Sequence, residues 1–332
     1  MKIGVLKVGG GLLSSDEHEI DEQIEVVVSE VRRMLEFSDA VWMVQSATGG
    51  TTRKLDGLCD VAEKRDHPRG LEGLLEDAID LVRHHEALGF GYPRLITMDP
   101  SSTEKSGRDI ERALTSVLDK VWNSGDNNGQ MRAFTQSMGE RMAVELVMLP
   151  AFREAKIRAG HFRAIDHMSA TLGTERLATK ALVSVEEAKA NMVGTVETLV
   201  TALADTTRGF PDSEGVAVPQ VFLMEGFVGC RDGKVVTLGY DGSDTSAVVV
   251  AHAFDTEAVL LKDIKGELDF SSTEELLEQM IKVPGDKGKL VGVYALGLAV
   301  KHGVTIVLRD PRTGYEHRLE PRATRAKVIN MT

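Results

Sequence analysis

Four short stretches gather the residue types that handle anions and transferable groups. Residues 7–11 read KVGGG, directly after an apolar run. Glycines at Gly9, Gly10 and Gly11 let backbone N–H groups approach an anion closely, and a helix beginning nearby adds a favourable dipole. Lys7 supplies a cation at the same edge, with Val8 between it and the glycines. Residues 46–52 read SATGGTT, with Ser46, Gly50 and Thr52 offering hydroxyls and free amides; the same turn also suits helix capping by Thr51 or Thr52. Gly139, Glu140 and Arg141 place an acid beside a base at what reads as a helix start. Residues 238–247 read LGYDGSDTSA, concentrating glycine, hydroxyl and carboxylate at one junction. Ser243 or Asp244 could cap the helix that follows, but capping needs one such residue, not five in a row.

Two familiar phosphate strings are missing. The chain has no GxxxxGK[ST] and no GxGxxG. Some polar clusters read as solvated surface: His84 and His85 on a charged helical face, Glu186 with Glu187, and Glu274 with Glu275. His161 and His167 have no carboxylate at ligand spacing, which speaks against a metal triad.

The elements around these stretches alternate. Residues 3–8 and 40–44 are apolar and strand-like, and each ends in a glycine turn. Between them Ile20, Ile24, Val27, Val28, Val31 and Leu35 recur at helical spacing. That is strand, helix, strand, hence a parallel sheet covered by helices. Residues 53–138 are largely helical in pattern, a long insertion suited to a lid or an interface. Further on, 139–148 reads as a helix, 161–165 as an edge strand, 185–204 as a helix and 221–224 as a buried strand. The second half repeats the rhythm: strands at 235–238, 258–261 and 304–308, helices at 245–254, 273–281 and 290–302. The strand at 304–308 is expected to be the last, with a basic, peripheral tail. The expected organisation is two lobes, 1–225 and 226–332, sharing one sheet.

Composition narrows the classes. The net charge of −12 excludes a generic nucleic-acid or anionic-membrane binder. The two cysteines, Cys59 and Cys230, form no CxxC, so no disulfide framework or zinc site is expected. The apolar N-terminal run is too short for a secretory signal or a span. A reduced, cytoplasmic setting is the expectation.

Taken in order, the motifs resemble those of aspartate kinases within the amino-acid kinase family. Lys7-Val8-Gly9-Gly10 is similar to KFGG, and SATGGTTRKL (46–55) to SAxxGxTxxL. Gly139-Glu140-Arg141-Met142 resembles GERL, residues 226–229 resemble GFIG, and 238–247 resemble LGRGGSDTTA. The resemblance implies an αβα sandwich with a mainly parallel central sheet, and transfer of the γ-phosphoryl of Mg-ATP to a carboxylate. It implies catalytic roles for Lys7 and Asp244. It puts Lys7, Val8, Gly9, Gly10, Gly242, Ser243, Lys262, Asp263 and Gly266 at the nucleotide. It puts Ser46, Gly50, Thr52, Glu140, Tyr240, Asp241 and Ser243 at the acceptor. No direct protein ligand to Mg²⁺ is implied, the ion being held by ATP phosphates. A homodimer or higher homo-oligomer is also implied.

Departures from the pattern are informative. The family's substrate-gripping arginine is Tyr240 here, followed by Asp241. Loss of a charge-assisted hydrogen bond costs roughly 1.5–3 kcal/mol, so an altered acceptor is expected. A cation elsewhere, such as Arg141, would instead leave an unregulated aspartate kinase, and a non-catalytic nucleotide- or anion-binding relative is a third reading. Near the nucleotide, Glu267-Leu268 replaces a tyrosine, and Lys262, Lys265 and Lys301 are alternative second cations. The ACT regulatory domains usual in the family are not expected here, nor feedback inhibition through them.

Overall fold

A computed structural model describes residues 2–13, 17–90, 101–127, 129–164, 171–172, 181–182, 219–231, 234–238, 241–264, 268–282 and 290–321. Tyr240, Lys265, Gly266, Glu267, His167, Glu186, Glu187 and the helix expected at 185–204 lie outside the described residues.

Seven strands form the central sheet, in the order β11-β10-β9-β1-β2-β6-β3. They are β1 (Ile3–Val8), β2 (Ala40–Gln45), β3 (Ala159–Phe162), β6 (Val221–Glu225), β9 (Ala258–Leu261), β10 (Ile306–Arg309) and β11 (Glu316–Leu319). Two antiparallel pairs stand apart: β4 (Thr171–Leu172) with β5 (Ala181–Leu182), and β7 (Val228–Arg231) with β8 (Lys234–Thr237). Every pairing in the main sheet is parallel except β10 with β11. Parallel strands are covered on both faces, which is why β1, β2, β6, β9 and β10 are buried along their whole length.

Two helical layers cover the sheet. On one face α1 (Glu17–Leu35) sets Ile20, Ile24, Val27 and Val31 against Leu6, Val8 and Met43. On the other, α7 (Gly242–Ala253) and α9 (Val293–His302) pack Val248, Val250 and Leu296 against Val5, Trp42 and Phe222. Here α8 (Thr273–Lys282) adds Leu276 and Leu277. Side chains alternate along a strand, so Lys7 falls on the same face as Val5, the face of α7. That single parity decides what Lys7 can meet.

The insertion forms its own helical core. Helices α2 (Thr51–Lys64), α3 (Gly70–Phe90), α4 (Ser101–Ser124) and α5 (Gly129–Met142) enclose Leu55, Leu74, Ala78, Ile110, Leu114 and Met138. At its end α5 widens into a π-helical stretch, Ala143–Met148, and continues as α6 (Leu149–Glu154). So the helix expected at 139–148 is only partly α, and Gly139-Glu140-Arg141 closes a helix instead of opening one.

The strand at Ile306–Arg309 is not the last. β11 adds to the sheet antiparallel, and Arg309 Nε donates to Glu316 Oε2 at 3.0 Å. Only Leu319 in β11 is buried, so an edge strand with polar residues facing water read as a basic tail.

Candidate active site

Register builds the site. One row of paired residues crosses the sheet from Glu225 to Gln45, Val8, Leu261 and Arg309. Just past this row stand Gly226, Ser46, Gly9 and Lys262, at the carboxyl ends of parallel strands where α/β sheets bind ligands. The turns after β1 and β2 touch: Ser46 N–H donates to Val8 O at 3.1 Å, and Gly49 N–H to Leu13 O at 2.7 Å. A Cβ on Gly10 would lie 2.4 Å from Ala47 O, so only glycine fits there.

A buried charge cluster lies under this junction. Lys7 Nζ is 2.7 Å from Asp244 Oδ1, and Lys262 Nζ is 3.0 Å from Asp244 Oδ2. Gly292 N–H also donates to Asp244 Oδ2, at 3.0 Å. Asp244 is wholly buried and Lys7 nearly so. Burial alone would raise the Asp244 carboxyl, but the Lys262 and Lys7 ammonium groups hold it far below the carboxylate range. Burial pushes Lys7 down to about 8, with Asp244 opposing and Lys262 assisting. Asp241 is raised by burial and by the charge of Asp244. Of the two described candidates for the second cation, Lys262 and Lys301, Lys262 is the one placed on Asp244. Lys301 lies exposed in the last turn of α9, and Asp263 is exposed beside Lys262.

Neither proposed helix cap holds. Asp241 is the N-cap of α7, at φ 60° and without a side-chain capping bond, so Ser243 and Asp244 fall inside the first turn. Gly50, at φ 80°, precedes α2 in the same way. The side chains freed from capping work elsewhere. Ser243 packs against the chain at Gly226, where a Cβ would come within 2.6 Å of Ser243 Cβ. Thr51 Oγ1 lies 2.7 Å from Thr48 Oγ1.

His85 completes that hydroxyl pair and was read from sequence as solvated. It is fully buried, with Nε2 2.8 Å from Thr48 Oγ1 and 3.1 Å from Thr51 Oγ1. Its Nδ1 lies 2.8 Å from Leu81 O, which can only accept. Nδ1 therefore carries the proton and Nε2 accepts from a threonine hydroxyl. Burial holds the ring down at about 4, hence neutral. A signal was present: Leu74, Ala78, Leu81, Val82, His85 and Leu88 form one helical stripe.

Glu140 lies beneath the 46–52 turn, since its neighbour Gly139 packs on Ala47 and Thr51. It is buried, Oε2 has no hydrogen-bond partner, and burial raises the carboxyl to about 8 despite backbone donation from Ala47. At neutral pH it is a protonated donor.

His161 meets carboxylates that are distant in the sequence. Its Nδ1 is 3.3 Å from Glu145 Oε1 and its Nε2 2.8 Å from Glu225 Oε1. Arg141 Nε donates to the same Glu145 oxygen at 2.8 Å. The carboxylates came from 16 and 64 residues away, so no local spacing reveals them. Burial would lower His161, but Glu145 and Glu225 lift it to about 9, while His161 and Arg141 draw Glu145 down to about 2.

Among the expected acceptor residues, Ser46, Gly50, Thr52, Glu140, Asp241 and Ser243 line or adjoin this junction. No group of His, Cys, Asp or Glu among the described residues is arranged to hold a metal ion. No described helix is long and apolar enough to cross a membrane.

No family model and no curated protein matches the sequence. Solved structures do. Escherichia coli aspartokinase III, in complex with aspartate and ADP, superposes with a TM-score of 0.67 at 16% identity, covering 96% of this chain and 65% of that one. The aspartate kinase of Clostridium acetobutylicum gives 0.59 at 13% identity, covering 98% of this chain and 64% of that one. The aspartate kinase of Synechocystis gives 0.50 at 16% identity, covering 97% of this chain and 40% of that one. This chain thus spans less than two thirds of the length of each. At such identities the likeness is one of fold: the chain has the amino-acid kinase fold.

Proposed function

We propose that the protein transfers the γ-phosphoryl group of Mg-ATP to the carboxylate of a small acid. The observation that carries this reading is the buried cluster of Lys7, Asp244 and Lys262. Two ammonium groups face the Asp244 carboxylate, with Asp241 near enough to feel both, at the mouth of glycine-lined turns. That suits a polyphosphate terminus. Asp244 is already engaged by two ammonium groups and the Gly292 amide, so Mg²⁺ would ride on phosphate oxygens, where it supplies charge neutralisation.

The residues of the chain then have separable tasks. Lys7 and Lys262 balance the phosphoryl oxygens, and Asp244 keeps both ammonium groups aimed. Amides near Gly9 and Gly10 hold the phosphates. Glu140 and the turn at 46–52 position the acceptor. A carboxylate oxygen attacks the γ-phosphorus while the bond to the β–γ bridging oxygen breaks, giving an acyl phosphate and ADP. The acceptor is already ionised, so no proton need be removed. Positioning and charge carry the reaction. This agrees with a site in which Glu140, buried beneath the 46–52 turn, is protonated.

The test is ADP release from Mg-ATP across a panel of small acids. Lys7→Ala is expected to lower turnover by about a hundredfold or more with the circular dichroism spectrum unchanged. Undiminished turnover in this variant removes Lys7 from the reaction.

A further inference from the structure

Beside the phosphate cluster lies a pocket whose charge the reaction above does not use. Its walls include Met138 and Arg141 of α5, Arg163 just past β3, Glu225 at the end of β6, and Val228 and Val235 of the β7–β8 hairpin. The pocket is joined to the reaction centre on two sides. Gly226, next to Glu225, donates to Gln45 O at 2.7 Å and abuts Ser243. Gly139, on the pocket's helix, packs on Ala47 and Thr51.

The charges in these walls can be assigned one by one. Glu225 is taken by His161 Nε2 at 2.8 Å and by the Ala164 N–H at 2.7 Å. Glu145, behind the wall, is taken by Arg141 and His161. Glu140 faces Glu225 and is held protonated by burial. Two carboxylates therefore meet three cations: Arg141, His161 and Arg163. Arg163 is exposed, forms no ion pair among the described residues, and supplies the surplus charge. Arg141 is anchored by Glu145 through Nε and Nη2, which leaves Nη1 for another partner. A wall of one surplus guanidinium and one anchored guanidinium, facing valines and a methionine, is built for a carboxylate on a short carbon chain.

We propose that Arg163, together with the anchored Arg141, grips a second, non-reacting carboxylate of the acceptor. Acceptor choice is then set by this pocket on the α5 and hairpin side. The inference rests on the kinase reading for its catalytic meaning, and its test separates the two. Steady-state ADP release is measured with aspartate and succinate as dicarboxylates and with β-alanine and propionate as single-carboxylate controls. Arg163→Met is expected to raise KM for the dicarboxylates about tenfold and to change KM for the controls less than about twofold. Arg163→Lys should recover part of the loss. Turnover of the controls alone, or an equal effect on both classes, overturns the proposal. If no acid supports turnover, the kinase reading fails and calorimetric binding of succinate decides the pocket. Binding weakened about tenfold by Arg163→Met upholds it; absent or unchanged binding overturns it.

Discussion

His85 and His161 both lie largely buried beside the candidate site, yet one is neutral and the other cationic. His85 meets two hydroxyls and a carbonyl, so burial wins and the ring stays neutral. His161 meets two carboxylates, so their attraction outweighs burial and the ring is an imidazolium at neutral pH. Burial sets the cost of charging a histidine; the partner decides whether that cost is met. One histidine braces a turn with directional bonds. The other holds two like charges together that would otherwise separate.

The contrast can be broken most forcefully at His161. His161→Leu leaves Glu145 and Glu225 facing each other without their cation. Removing one partner of a buried charge pair costs about 3–5 kcal/mol, so a large fall in denaturation midpoint is expected at pH 7. The sign with pH follows from the raised value. His161 contributes fully below its unfolded value of 6.5 and loses that contribution as pH rises through about 9. The gap between wild type and variant should therefore narrow from about pH 6.5 to about 9 and stay small above that. A gap that stays constant from pH 6 to 10 would mean that His161 is neutral.

A smaller effect is expected at His85. His85→Phe keeps the ring volume but leaves the Thr48 and Thr51 hydroxyls one acceptor short, costing about 1–3 kcal/mol. Because those threonines belong to the turn assigned to the acceptor, KM for the acceptor should rise more than KM for ATP. The stability loss should be constant from pH 7 to 9, where the ring is neutral both folded and unfolded, and should narrow as pH falls below 6.5, where the unfolded chain takes up a proton. A gap that instead narrows as pH rises from 7 to 9 would show that His85 titrates like His161.

Glu140 gives the mildest and most specific check. A carboxyl raised by burial is stabilising only while protonated, so its contribution declines as pH rises from 4.5 through about 8. Glu140→Gln fixes the neutral form. Its melting temperature should exceed that of wild type by a few degrees at pH 8 and match it near pH 4, with acceptor turnover reduced. Equal melting temperatures at pH 8 would place an ionised, well-solvated carboxylate there.

These two histidines also mark where sequence reasoning stops. The glycine turns after β1 and β2, and the polar junction opening α7, were legible because each is a local conflict. Flexible backbone and hydroxyls interrupt an otherwise apolar rhythm. Lys7 and Asp244 were legible for the same reason. Lys262 could not be chosen over Lys301, because only the pairing of β1 with β9 brings it to Asp244. His85 was misread by weighing its charged neighbours above the stripe it shares with Leu81 and Leu88. The carboxylates around His161 come from a π-helical turn and a distant strand, so no window of sequence contains them. Glu140 was found, but at the wrong end of its helix, since the π stretch hides where α5 stops.

The missing Cβ of Gly10, pressed on Ala47 O, has a consequence for how this protein can change. Two loops touching without slack behave as one rigid casting, so neither can be reshaped without displacing the other. Drift toward a new acceptor is steered away from the backbone and onto outlying side chains such as those at 141 and 163. Libraries that vary the rim while sparing both loops should yield altered specificity with folding intact.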